Sequence, residues 1–441
     1  MRVTQEYKGL GEFWLPSDPE NKIFGNLLIS DGGKVQLELC EPFDPDPRKL
    51  SWFSRDSGEI DRINGYLEDG RYVTLESCLH REQSLRSNNR GTSVVKSIID
   101  VDLALINVQY EKDQRITFNT LFFSVEGLDK WLGTKFIEKF DDLKNMLYGI
   151  GNKNEIKSTT ITCNKLETPI YELSNGFKLS ILPQFATSLS PLMITQKTYF
   201  KLQIDTAQEL SKFIDIAQRL TTFICFVIDQ IVSLKEVSAA SDALVQELGR
   251  GKTYRVDLYY RSFPFVQEKP DLKRIDRGIF GFDEERFGKI IDKWISAYEP
   301  MPAALNLYFS ARAEAHKHLD GKFLALVQGL ECFIKREYPG EDLKSREYLK
   351  RFIKPFDSHL GNSEKQRDEL IEKIRNKRND LTHPSENPQG KIVYGQEFVS
   401  LYYKVEALFQ LNFMKLIGFS HEEITLALSR CYRLRQRIEF E

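Results

Sequence analysis

Residues 363–384 read SEKQRDELIEKIRNKRNDLTHP, and the spacing predicts one helix over 363–382. Ser363 with Gln366 three residues on is a helix start signal, and Pro384 is a stop. Leu370, Ile371, Ile374 and Leu381 are the aliphatic anchors of this polar stretch. Ile371, Ile374 and Arg378, three and four apart, share one helix face, so Arg378 occupies a slot where the stripe calls for an apolar residue. A cation near a buried face needs an acid, because an unpaired buried charge is costly. The candidate is Glu331, at the edge of the apolar face of a helix expected over 319–338, where its carboxylate could grip the guanidinium bidentately. His383 follows Arg378 by five positions, about 140° around a regular helix. The two converge only if the helix ends, and a residue before proline is pushed out of the helical region. His383 is therefore expected to leave the helix and turn towards Arg378, with Asn379 beside it as a neutral donor and acceptor.

This set suits metal-independent phosphodiester cleavage. A histidine can take a proton from a ribose 2′-hydroxyl or give one to the leaving 5′-oxygen, and an arginine can stabilise the charge growing on phosphorus oxygens. The reaction wants both a base and an acid, so one histidine per chain points to a two-fold dimer that brings two His383 side chains to one groove. The spacing itself is weak evidence, since Arg312 with His316 and His318 also fits it. That segment is discounted: alanine follows Arg312, no helix stop falls at His318, and ordinary amphipathic character explains it.

Here a family resemblance enters. RNDLTH (378–383) resembles the Arg-polar-x3-His motif of HEPN domains, and FLALVQGLECFIKREY (323–338) looks like the leucine-glutamate helix that precedes it. More narrowly, the chain is similar to ApeA-type HEPN proteins of bacterial anti-phage defence. The segments that carry this are GEFWLP (11–16), GNLLISDGGKVQLELCEPF (25–43), Leu128–Trp131 and DKWISAYEPMPAALNLYFSA (292–311). The resemblance implies a ribonuclease, dimeric or larger through its HEPN domain, that leaves 2′,3′-cyclic phosphate ends. It implies RNA as partner, with tRNA a candidate target, and a role in abortive infection. It carries catalytic roles over to Arg378, His383 and Asn379, and a supporting role to Glu331.

Outward from this motif, the pattern is helical from 278 onward, with helices expected near 283–298, 301–317, 319–338, 343–359, 363–382, 395–417 and 421–438. Ser420 with Glu423 is a second start signal. Polar, proline-broken 263–277 marks a boundary. Before it, 161–277 reads as a mixed β/α domain: strands near Ile161, Phe177–Leu182, Tyr199–Ile204 and Tyr254–Tyr260, and a long helix starting at Thr206 with a capping box closed by Glu209. Residues 1–160 read as β-rich, with strands such as Gly25–Ile29, Val35–Leu39, Tyr72–Leu75 and Arg115–Phe123, longer loops at Pro42–Ser57 and His80–Ser93, and a short helix from Leu128. Regular turns suggest a sandwich or open barrel. The expected fold class is thus α+β multidomain: a β-rich region over 1–160, a mixed domain over 161–277 and an all-α HEPN domain over 278–441.

Composition sets limits on function. With 41% hydrophobic and 29% charged residues, the chain has material for full cores. A net charge of -2 excludes a global polyanion-binding field, so any nucleic-acid site is a local basic patch. Lys373, Arg375 and Lys377, beside the motif, are the candidate RNA contacts. Arg430, Arg433, Arg435 and Arg437 around Tyr432 form a second basic stretch, read as ordinary surface charge at a helix end. The six cysteines show no CxxC pair and are expected to be reduced and buried; no metal and no cofactor is expected. The apolar stretch Leu220–Leu234 is interrupted by Asp229 and reads as a core helix, not a membrane span. With no signal-like N-terminus, the expected compartment is the cytoplasm. The β-rich regions carry no catalytic signature and are expected to sense a phage-derived trigger or restrain the nuclease. Two other readings stay open: a HEPN domain that is inert and binds RNA, a nucleotide or a partner protein, and a β domain that binds a small ligand while the helices dimerise.

Overall fold

A computed structural model describes residues 1–3, 5–43, 58–87, 93–133, 169–189, 192–244, 254–272, 278–313, 316–341, 344–360, 363–383 and 395–439. Among the described residues twelve strands form one sheet, with neighbours paired antiparallel: β1 (Tyr7–Leu15), β2 (Asp18–Ser30), β3 (Lys34–Leu39), β4 (Glu59–Leu67), β5 (Tyr72–Ser87), β6 (Ser93–Ile106), β7 (Thr117–Val125), β8 (Ile170–Glu172), β9 (Lys178–Leu189), β10 (Leu192–Glu209), β11 (Leu234–Ala240) and β12 (Val256–Tyr260). Their order is β3-β2-β1-β4-β5-β6-β12-β11-β7-β10-β9-β8, and β3 also pairs with β6. That extra pairing closes β1–β6 into a six-stranded barrel, which decides between the sandwich and barrel readings. Strand β6 does two jobs: Ser97–Val101 pairs with β3 to shut the barrel, and Leu103–Ile106 pairs with β12 to start the open sheet beyond it. The barrel is filled by inward residues such as Phe13, Leu27, Leu37, Ile63, Leu75 and Ile99, all fully buried. At Gly65 a side chain would run into Phe13, so only glycine fits where β4 crosses that ring.

Among the described residues the helices are α1 (Leu128–Leu132), α2 (Leu210–Val227), α3 (Glu284–Tyr298), α4 (Pro302–Arg312), α5 (Leu319–Glu337), α6 (Ser345–Ile353), α7 (Glu364–Thr382), α8 (Gln396–Leu416), α9 (His421–Arg430) and α10 (Tyr432–Glu439), with short helical turns over 354–360. A second core runs without a break from the open sheet through α2 into α3–α10. Phe226 of α2 stacks on Trp294 of α3 (ring centroids 5.4 Å apart, planes 5° apart) and meets Phe413 of α8 edge-on. Trp294 Nε1 donates to the Arg219 carbonyl at 2.8 Å, and Tyr298 donates to Thr222 Oγ1 at 2.6 Å.

Strands on either side of residue 160 hydrogen-bond to each other: β7 pairs with β10 and β11, and β12 pairs with β6. The sheet thus runs across 160/161, and the shared core across 277/278. Several expectations are corrected. The long helix starts at Leu210, not Thr206. Gln208 and Glu209 are still paired with Phe118 and Thr117 of β7, and no side chain caps the helix. The ladder satisfies the backbone groups that a capping box would have served. His80–Ser87, expected as loop, continues β5 along β6. Helix α4 ends at Arg312, where Ala313 turns extended, and the last expected helix breaks at Cys431. Expected elements at Ile161 and most of Pro42–Ser57 lie outside the described residues. Among the described residues no helix is long and apolar enough to cross a membrane.

Candidate active site

Helix α7 forms where expected and for the expected reason. Ser363 accepts from the Gln366 backbone N–H, and the Gln366 side chain answers at the Ser363 N–H, a reciprocal capping box. Leu370, Ile371 and Ile374 are its buried anchors. One turn past Ile374, the buried stripe gives way to Arg378, whose side chain is 37% exposed. Its Nη2 lies 3.8 Å from Glu331 Oε1 on α5, and its Nη1 donates to Asn379 Oδ1 at 3.3 Å. The expected partner is therefore correct and the expected grip is not. A single approach at 3.8 Å is an ion pair too long for a hydrogen bond, because Arg378 sits at the rim of the α5–α7 contact and not inside it.

The helix ends at Thr382. His383 leaves it with φ -132° and ψ 73°, its backbone N–H still donating to the Asn379 carbonyl at 2.8 Å. Thr382 Oγ1 donates to the Arg378 and Asn379 carbonyls at 2.9 and 3.3 Å, using acceptors that the end of a helix leaves free. The His383 residue is exposed, and among the described residues no side-chain hydrogen bond or ion pair holds its ring. Pro384 lies outside the described residues. Arg378 contacts both Glu331 and Asn379, and His383 is tied to Asn379 through the helix-end backbone.

The three candidate RNA contacts are each engaged. Lys373 pairs with Glu397 at 2.9 Å, Arg375 with Glu372 at 2.7 Å, and Lys377 lies 4.3 Å over the Phe398 ring. A phosphate would draw Lys373 from an exposed pair and Arg375 from a half-exposed one. Among the described residues no group of three or more His, Cys, Asp or Glu is placed to hold a metal ion. Cys78, Cys225 and Cys431 are buried, Cys332 is half-buried and Cys40 is exposed. Burial pushes the Cys225 thiol up to about 12, so it stays protonated and inert.

The alternative Arg312 motif has a different job. Arg312 is buried, 3.0 Å from Asp229 and 2.7 Å from Glu406. Arg437, read from sequence as part of a surface stretch, completes the cluster at 2.8 Å from Asp229 and 3.5 Å from Glu406. Gln410 donates to Asp229 at 2.6 Å and accepts from Arg437 at 2.9 Å. The missed signal was in the acids: Asp229 and Glu406 each interrupt an apolar run, and a buried carboxylate demands a cation.

With this geometry in view, comparison with known families is decisive. The family model described as ApeA N-terminal domain 1 matches residues 9–294, more than half of the chain, and the model described as Apea-like HEPN matches residues 324–423. The chain belongs to the ApeA family. It is a HEPN-family defence protein, and the family is in general one of nucleases. The ApeA N-terminal match runs across residue 160, as the continuous sheet does. The HEPN match contains Glu331, Arg378, Asn379 and His383 but stops short of Arg437. Neither a curated protein nor a solved structure matches the chain.

Proposed function

We propose that the HEPN helices form a metal-independent endoribonuclease of abortive infection. One observation carries the reading: Arg378, oriented by Glu331 and Asn379, and the exposed His383 share the C-terminal turn of α7 inside the matched HEPN region. In the proposed reaction a 2′-oxygen attacks its neighbouring phosphorus. The P–O5′ bond breaks, and a 2′,3′-cyclic phosphate and a free 5′-hydroxyl result. One His383 accepts the 2′-hydroxyl proton and a second, from another copy of the chain, gives a proton to the 5′-oxygen. Arg378 holds the charge on the non-bridging oxygens. The partner is RNA, with tRNA as candidate target. The assembly is at least a homodimer through the HEPN helices, acting in the cytoplasm and set off by a phage-derived trigger sensed by the β-rich region.

The test is incubation of purified protein with total bacterial RNA in excess EDTA, with and without lysate from infected cells, beside His383→Ala and Arg378→Ala. Discrete cuts with cyclic-phosphate ends, reduced roughly 10³-fold or more in either variant, are expected. Cuts that persist in both variants would remove these residues from the chemistry. The exposure of His383 also suits a second reading, an inert HEPN domain that binds RNA or a partner. In that case wild type binds without cutting, and His383→Ala changes little.

A further inference from the structure

Where the ApeA N-terminal region meets the last helices, a cavity of about 420 Å³ opens between α1, residues 278–281, α3 and α9. Its size falls in the range of small-molecule sites, which favour junctions between structural units. Trp131, Phe280 and Phe419 supply aromatic wall. Phe280 and Phe419 lie 4.7 Å apart and are only partly covered. The charged lining is Lys130, Arg286 and Arg430 against Glu423, three cations to one acid. That acid is already committed: it accepts from the Ser420 N–H at 2.8 Å and pairs with Arg286. Lys130 Nζ donates one of its three N–H groups to the Leu272 carbonyl at 2.6 Å. Arg430, exposed at the end of α9, makes no ion pair among the described residues. Gly281 is part of the lining, and a Cβ there would meet no atom within 4 Å.

We propose that this cavity binds a nucleotide, its base against the aromatic wall and its phosphate between Lys130 and Arg430. A purely apolar ligand would leave the two surplus cations without a counter-charge, and a bare anion would leave the aromatic wall unfilled. Lys130 and Gly281 belong to the region matched as ApeA N-terminal domain, and Phe419 and Glu423 to the region matched as HEPN. A nucleotide here touches both and stabilises their junction. The site shares no residue with the Arg378–His383 site, so its failure would leave the nuclease reading untouched.

The experiment is calorimetric titration of the full chain with AMP, GMP, CMP and UMP, with adenosine and inorganic phosphate as ring-only and anion-only controls. At least one nucleotide is expected to bind with a Kd of about 100 µM or tighter, and both controls at least about tenfold more weakly. Gly281→Leu places a bulky side chain at the cavity lining without a strained backbone and should abolish binding. Arg430→Ala, at an exposed position that leaves the fold intact, should weaken binding about tenfold. If none of the four nucleotides binds at about 1 mM, a range well above the expected Kd, the proposal is overturned. So it is if binding survives Gly281→Leu, or if phosphate binds as tightly as the nucleotide.

Discussion

At residue scale, the site rests on a loose pair. Glu331 reaches Arg378 at 3.8 Å, with 24% of the acid and 37% of the arginine side chain exposed. Water competes for both groups, so the pair aims the guanidinium more than it binds it. Glu331→Gln keeps the shape and removes the charge. It is expected to lower single-turnover cleavage about tenfold, far less than His383→Ala, because it costs orientation and not a proton carrier. RNA affinity should stay near wild type. A loss in Glu331→Gln equal to that in His383→Ala would mean that the carboxylate itself moves a proton. The sequence disclosed the partners here and not the distance. Helical spacing fixes which face Arg378 takes, but how far α5 stands from α7 depends on how the buried anchors Ile371 and Ile374 pack, which spacing does not report.

At element scale, α7 is held mainly by one stripe and one cap. Leu370, Ile371 and Ile374 anchor its middle, and the Ser363–Gln366 box anchors its start. Ser363→Ala leaves the Gln366 N–H, at the exposed start of the helix, without its acceptor and should cost about 1 kcal/mol. Hydrogen exchange should rise in the first turn of α7 and stay unchanged in α8. Equal protection in the mutant would show that the box is ornamental. The helices were legible because their caps and stripes are local: both Ser-x-x-Gln/Glu boxes form as the spacing predicts. The same rule failed at Thr206, where a capping motif and a strand edge competed for the same backbone groups and pairing with β7 won. Polar His80–Ser87 misled for a related reason. Its backbone groups are satisfied by β6 whatever its side chains are, so a ladder can extend where no hydrophobic alternation marks it. Pairing of β7 with β10, across residue 160, left no mark in either strand's own pattern.

At the scale of the whole molecule, the decisive contacts join the two matched regions. Asp229, at the end of α2, sits between Arg312 of α4 and Arg437 of α10, with Glu406 and Gln410 of α8 closing the ring. Burial alone would push the Asp229 carboxyl up, but Arg312 and Arg437 outweigh it and hold it below its ordinary value of 3.8. A carboxylate depressed in the folded state adds stability that is fully present above that value and is lost as pH falls through the lower folded one. Asp229→Asn should therefore cost about 3 kcal/mol at neutral pH, by leaving two buried guanidiniums to one acid, and should flatten the acid limb of a Tm–pH curve below 3.8. A harder cut makes the same point. A fragment of residues 278–441 keeps the Arg378–His383 motif but loses Asp229 from the charge ring and Phe226 from the faces of Trp294 and Phe413. It would expose a wide aromatic surface and carry a buried excess of positive charge. The expectation is that it aggregates or melts far below the full chain, and that residues 210–441, which restore α2, recover part of the helical signal. A soluble, cooperatively folded 278–441 fragment with the Tm of the intact protein would show that the shared core is dispensable, and that the HEPN helices are a free-standing domain merely leaning on the sheet.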